Sequence, residues 1–127
     1  PALFDYYSNF KHQPAAGFAV QIVRQPKPDF FTCLGGGYIA SGTTGADKQP
    51  KPYLPEGVVL TDNEGTGEVQ TPFEYKGSEK IGLGDTVLFS HSKAGELCER
   101  FNELHLIANG QIIDKVPTYR GQGKCFL

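Results

Sequence analysis

Glycine and proline constrain this chain more than any other feature. Sixteen glycines and nine prolines occupy about one position in five of its 127 residues, well above the roughly 12% of an average protein. Each weakens a helix interior, glycine through backbone entropy and proline through its missing N–H and its ring. A helix bundle is thereby excluded, and connecting segments must take a large share of the chain. Enough apolar material is left for a core. Val, Ile, Leu and Phe make up about a quarter of the residues, above the roughly 20% below which chains stay disordered. The length suits one domain over 1–127, built around one core.

A formal net charge of -2 and a pI near 5.9 leave no basic footprint for nucleic acid or for an anionic membrane surface. No apolar run approaches the roughly 18 residues of a membrane span, and no charged-then-apolar signal segment opens the sequence. Methionine is absent, and Pro1 leads straight into the apolar-rich PALFDYYSNF. The expectation is a piece of a longer protein, although removal of an initiator Met before Pro would give the same start. Cys33, Cys98 and Cys125 are odd in number and irregularly spaced. They form neither a disulfide framework nor a CxxC zinc signature, and the expectation is reduced thiols in a cytoplasmic protein.

Strand signals dominate the pattern. Leu3, Tyr6, Tyr7 and Phe10 share a helical spacing, so 2–10 reads as a short amphipathic helix or an extended lead-in. FAVQIV and FFTCL are short β-branched and aromatic runs, and the intervening QPKPD predicts a connection because Pro26 and Pro28 cannot donate ladder hydrogen bonds. Residues 42–57 read as a long loop anchored only by Tyr53 and Leu54. VVLTD, EVQTPFEY and TVLFSH are further strand candidates. Leu97, Phe101 and Leu104 recur at helical spacing, placing a short helix near 96–101. Asn109-Gly110 between LHLIA and QIIDKV is the strongest hairpin signal, since a type I′ turn needs positive φ at both positions. About seven short strands separated by turns predict an all-β barrel or sandwich with one or two short helices.

Few residues point to chemistry by themselves. GGGY at 35–38 lacks the GxGxxG or GK[ST] spacing of a nucleotide loop and no helix pattern follows it, so a tight β bend is the reading. Asp62, Glu64, Glu68 and Glu74 read as a solvated acidic face. The densest cluster of reactive side chains is His91, Lys93, Glu96, Cys98 and His105. Imidazole, carboxylate and thiolate suit zinc or manganese, Cys98 with His91 or His105 suits a thiol nucleophile and base, and polar rim and core residues are the bland alternative. A free-standing β-barrel binding module using the 42–57 loop with Tyr38, Tyr53 or Tyr119 is a second reading of the pattern.

Four blocks carry a resemblance. GGGYIASG, GEVQTPF, GDTVLFSHSKAGELCERFNE and VPTYRGQGK follow one another in an order and spacing similar to the C-terminal domain of the pyridoxal-phosphate-dependent D-amino-acid lyases. That group includes D-threonine aldolase, D-serine dehydratase and the bacterial proteins called amino acid deaminase/aldolase. Its members resemble alanine racemase, with an N-terminal barrel that carries the cofactor and a C-terminal β domain that caps the active site, commonly the partner subunit's. The resemblance implies that 1–127 is such a β domain, that the pyridoxal phosphate and its Schiff-base lysine belong to a barrel domain not in this chain, and that the whole protein is a cytoplasmic homodimer acting on a small D-3-hydroxy amino acid. Aldol cleavage, dehydration and racemisation all remain open.

The same resemblance implies site residues. A His followed two positions later by Cys or Asp binds a divalent metal, zinc or manganese, in the named members. Aligning His91 with that His puts Lys93 at the second ligand. Aligning Cys98 with the Cys puts Glu96 at the His. His91, Glu96 and Cys98 are therefore the expected metal set. Gln70 falls where an active-site His is expected, so His91 and Gln70 are the expected catalytic residues, with Tyr38, Thr71 and Lys93 facing the substrate.

Overall fold

The computed structural model describes residues 1–43 and 45–122. Cys125 and the end of the VPTYRGQGK block lie outside the described residues. A 3-10 turn at Ala2–Tyr6 leads into β1 (Phe18–Lys27) and β2 (Phe30–Leu34). A second 3-10 turn at Ala46–Lys48 precedes β3 (Lys51–Leu54), β4 (Val58–Leu60), β5 (Gln70–Tyr75) and β6 (Thr86–Ser90). The helix α1 (Ala94–Arg100) and the strands β7 (Glu103–Ala108) and β8 (Gln111–Pro117) complete the order.

Six strands form one antiparallel sheet in the order β3-β6-β1-β2-β5-β4. The two edge strands, β3 and β4, lie against each other, so the sheet nearly closes into a barrel. The all-β expectation holds. Closure works because the strands alternate. On β1, Phe18, Val20 and Ile22 point inward and are buried, while Ala19, Gln21 and Val23 are exposed, the period-2 pattern of a sheet with one dry face. Phe31 and Cys33 of β2, Phe73 and Tyr75 of β5, Val87 and Phe89 of β6, and Leu97 of α1 fill the same core. Phe18 stacks on Phe89 at 5.5 Å and Phe31 on Phe73 at 5.6 Å between ring centroids.

β7 and β8 form a separate two-stranded hairpin. Asn109 and Gly110 turn it with φ of 51° and 74°, as the type I′ reading requires.

Four segments depart from the sequence pattern. β1 runs through Pro26 to Lys27, and the connection shrinks to Pro28-Asp29. Pro26 is tolerated because the β1–β2 register breaks between Arg24 and Lys27, where a missing N–H costs no regular ladder bond. The 42–57 loop contains β3, because Lys51 to Leu54 find the exposed edge of β6. Leu104 lies on β7 rather than on a helix face, since α1 stops at Arg100 and Phe101 is extended with φ -121°. The Thr118 hydroxyl explains that stop: it lies 3.0 Å and 2.7 Å from the carbonyl oxygens of Cys98 and Phe101, capping the last turn. The amphipathic 2–10 spacing yields only the first 3-10 turn, with Phe4, Tyr6, Tyr7 and Phe10 left exposed. No helix among the described residues is long and apolar enough to cross a membrane.

Candidate functional site

Antiparallel register collects the reactive residues at one end of the barrel. Phe18 pairs with Phe89, Lys51 with Ser90 and Leu34 with Gln70. The ends of β2 and β6 and the starts of β1, β3 and β5 therefore share one rim. Gly35 to Tyr38 follow β2 at that rim, Gln70 and Thr71 open β5 there, and His91 follows β6. The helix α1 then folds over the same end and buries Leu97 in the core.

The glycine bend is held by backbone contact. Gly35 and Gly36 take φ of 69° and 105°, a region open to glycine at little cost. A Cβ on Gly37 would sit 2.3 Å from the Gly67 carbonyl carbon and 2.5 Å from the Glu68 nitrogen, so that position requires hydrogen because another backbone passes there. Thr71 fastens the contact: its fully buried hydroxyl donates to the Gly35 carbonyl at 2.6 Å and accepts from the Gly67 N–H at 3.3 Å. Thr71, expected to face substrate, points into the barrel and serves this junction instead, because the alternation of β5 places it on the inner face beside Phe73 and Tyr75.

His91 is buried, and its Nδ1 has no hydrogen-bond partner among the described residues. Burial pushes its pKa down, with the Ala16 backbone acting in the opposite direction, so the neutral imidazole is favoured near neutral pH. Its carbonyl accepts from the Ala2 N–H at 2.8 Å, and the next hydroxyl, on Ser92, donates to the Asp47 carbonyl at 2.7 Å. Gln70 is half-buried and held from both sides: Oε1 accepts from Arg24 at 3.2 Å, and Nε2 donates to Glu64 Oε1 at 3.2 Å. Tyr38 packs edge-on against Phe18 at 4.6 Å and Phe101 at 5.6 Å, with the Arg100 guanidinium 5.7 Å from its ring centre.

Lys93 reaches back across the rim and donates to the Ser41 carbonyl at 2.8 Å. Glu96 pairs with Arg100 at 3.0 Å along α1, and Cys98 is buried on the same helix. Ser41, Lys93, Gly95, Glu96, Glu99 and Arg120 line a cleft of about 240 Å³. Among the described residues, no group of three His, Cys, Asp or Glu side chains is arranged to hold a metal ion. His91, Glu96 and Cys98 thus share one end of the fold without forming a ligand set among the described residues; Glu96 is engaged by Arg100, and His91 and Cys98 are buried. His105 stands on the separate hairpin, 3.7 Å from Glu103. Tyr53 and Tyr119 are both exposed, on β3 and beyond β8.

The chain matches no family model, no curated protein and no solved structure. The functional reading therefore stands on the residues and their geometry.

Sequence reasoning missed Arg24 and Glu64, which hold Gln70, and Arg100, Glu99 and Arg120, which surround the α1 cleft. The i, i+4 spacing of Glu96 and Arg100 was a readable signal. Arg120 had none, because its partner Glu99, at 3.2 Å, is 21 positions away and reached only through the fold.

Proposed function

We propose that this chain is the C-terminal β domain of a cytoplasmic pyridoxal-phosphate-dependent lyase acting on a small D-3-hydroxy amino acid, and that it caps the active site of the barrel domain. One observation carries the reading. Parts of the four blocks of the resemblance, dispersed over about ninety residues, meet around one end of the barrel: Gly37 lies on 67–68, Lys93 bonds Ser41, and Gly95 faces Tyr119 and Arg120.

The cofactor would be held by the barrel domain, where it would supply an electron sink. This domain contributes position and polarity. His91 brings a neutral imidazole to the rim, and Gln70 brings an amide oriented by Arg24 and Glu64. Polarisation of the substrate β-hydroxyl by such groups suits two outcomes. One breaks the Cα–Cβ bond and yields glycine and an aldehyde. The other expels water to leave an enamine, which tautomerises to an imine and takes up water to give ammonia and a 2-oxo acid. No step is assigned to a metal.

The test is expression of the whole reading frame that encodes this chain. The product should be a homodimer with borohydride-trappable pyridoxal phosphate on a lysine outside residues 1–127, and it should release glycine or a 2-oxo acid from D-threonine or D-serine. A reading frame without a barrel domain, or a barrel that takes up no pyridoxal phosphate, overturns the proposal.

A further inference from the structure

We infer that the cleft between α1 and the Tyr119–Arg120 segment is a binding site for an amino-acid zwitterion, with Lys93 and Arg120 facing the carboxylate and Glu99 and Glu96 the ammonium. The inference rests on the cleft alone and not on the function proposed above.

The lining is small, polar and mixed in charge. Of the six residues, two are cations and two are carboxylates, and the other two, Ser41 and Gly95, have short side chains or none. A volume of about 240 Å³ is below the roughly 300–1,000 Å³ of drug-sized pockets and suits a ligand of a few heavy atoms. Purely anionic or cationic ligands would meet two like charges in it. A molecule carrying both charges two bonds apart meets each with its opposite, in charge-assisted hydrogen bonds.

Capacity remains on the cationic side. Arg120 is paired with Glu99 through NH1 at 3.2 Å, which leaves guanidinium donors unspent. Lys93 forms no ion pair among the described residues, and its ammonium donates to a single carbonyl, that of Ser41. On the acidic side, Glu99 is 62% exposed despite its bond to Arg120, whereas Glu96 is 13% exposed and held by Arg100. Glu99 is thus the primary ammonium partner, and Glu96 supplies field from behind.

Gly95 gives the inference its sharpest handle. A Cβ there would project toward the cleft, 3.4 Å from the Tyr119 hydroxyl and 3.7 Å from the Arg120 guanidinium, at ordinary van der Waals distance. Its φ lies outside the positive region, and it sits inside α1, where alanine is preferred over glycine. Gly95→Ala should therefore leave the fold intact or firmer while adding a methyl group to the wall of the cleft.

The experiment is an NMR titration of the protein with serine of each hand, with 3-hydroxypropionate (carboxylate only) and with ethanolamine (ammonium only). Saturable shifts should appear at Lys93, Gly95, Glu99 and Arg120 with serine, and each half-ligand should bind at least about tenfold more weakly. Gly95→Ala and Lys93→Ala should each weaken serine binding by at least about tenfold, with thermal stability of Gly95→Ala unchanged or raised. Equal binding of 3-hydroxypropionate and serine, no saturable shift with serine, or a Gly95→Ala protein that binds as wild type would each overturn the inference. None of these readouts involves the cofactor or turnover, so failure here is separate from failure of the lyase reading.

Discussion

Replacing Thr71 with valine isolates the junction on which the candidate site is built. Valine has nearly the same shape and the same preference for a strand, so the change removes a hydroxyl and little else. That hydroxyl joins Gly35 to Gly67 just beyond the Gly35 N–H to Val69 carbonyl bond of 2.8 Å, by donating to the Gly35 carbonyl at 2.6 Å and accepting from the Gly67 N–H at 3.3 Å. Without it the Gly35 carbonyl loses its bond, and a methyl group must sit where an oxygen made a 2.6 Å contact. Leaving a buried polar group unmade costs about 1–3 kcal/mol. The longer Gly67 bond and the half-buried state of Gly35 and Gly67 place the total near about 2–3 kcal/mol. For a domain of this size about 4 °C of Tm accompanies each kcal/mol, so Thr71→Val should melt about 8–12 °C below wild type, followed by near-ultraviolet circular dichroism of the tyrosines. Thr71→Ser keeps the hydroxyl and loses one methyl, and should cost only about 1 kcal/mol. A Thr71→Val protein as stable as Thr71→Ser would refute the argument that this hydroxyl fastens the glycine bend.

Other consequences follow from the same structure. Gly37→Ala should be more damaging than Thr71→Val, because its Cβ meets backbone at 2.3 Å and neither segment has a flexible end to move; equilibrium urea unfolding measures the difference. The buried His91, with its pKa depressed below the ordinary value near 6.5, makes the unfolded chain bind more protons than the native one as pH falls through that value. Stability should therefore be fully present above about pH 6.5 and decline as pH falls toward 5, and His91→Gln should flatten that part of the profile. Burial raises the Cys33 thiol to about 12, so iodoacetamide at pH 8 should spare Cys33 in the native protein and label it in denaturant, as peptide mass mapping would show.

The sequence made some of this legible and hid the rest for identifiable reasons. Period-2 runs such as FAVQIV declare β1 because one face is buried along its first half, and Asn109-Gly110 declares its hairpin because two positive φ values are needed side by side. β3 was hidden inside a proline-rich segment, since an edge strand needs only one partner and Lys51 to Leu54 obtain it from β6. The continuation of β1 through Pro26 was hidden because a register break, invisible in sequence, removes the penalty. Of the site, His91 was legible as the end of the strand TVLFSH, whereas Gln70 came only from the resemblance. That Thr71 points into the barrel was not legible, because the direction of alternation depends on which face of β5 turns inward, and EVQT alone does not say. The α1 cleft depends on Arg120 meeting Glu99 across 21 residues, a contact that only the closed fold creates.

Turnover of D-3-hydroxy amino acids by the protein expressed from its whole reading frame, compared between wild type and His91→Gln, tests the capping-domain account most directly. The account predicts release of glycine or a 2-oxo acid by wild type and a kcat lower by about a hundredfold in His91→Gln, the low end of what a positioned proton-transfer group contributes, with the variant's melting temperature above the assay temperature. A wild type with no such turnover, or a folded His91→Gln protein with undiminished kcat, would contradict it.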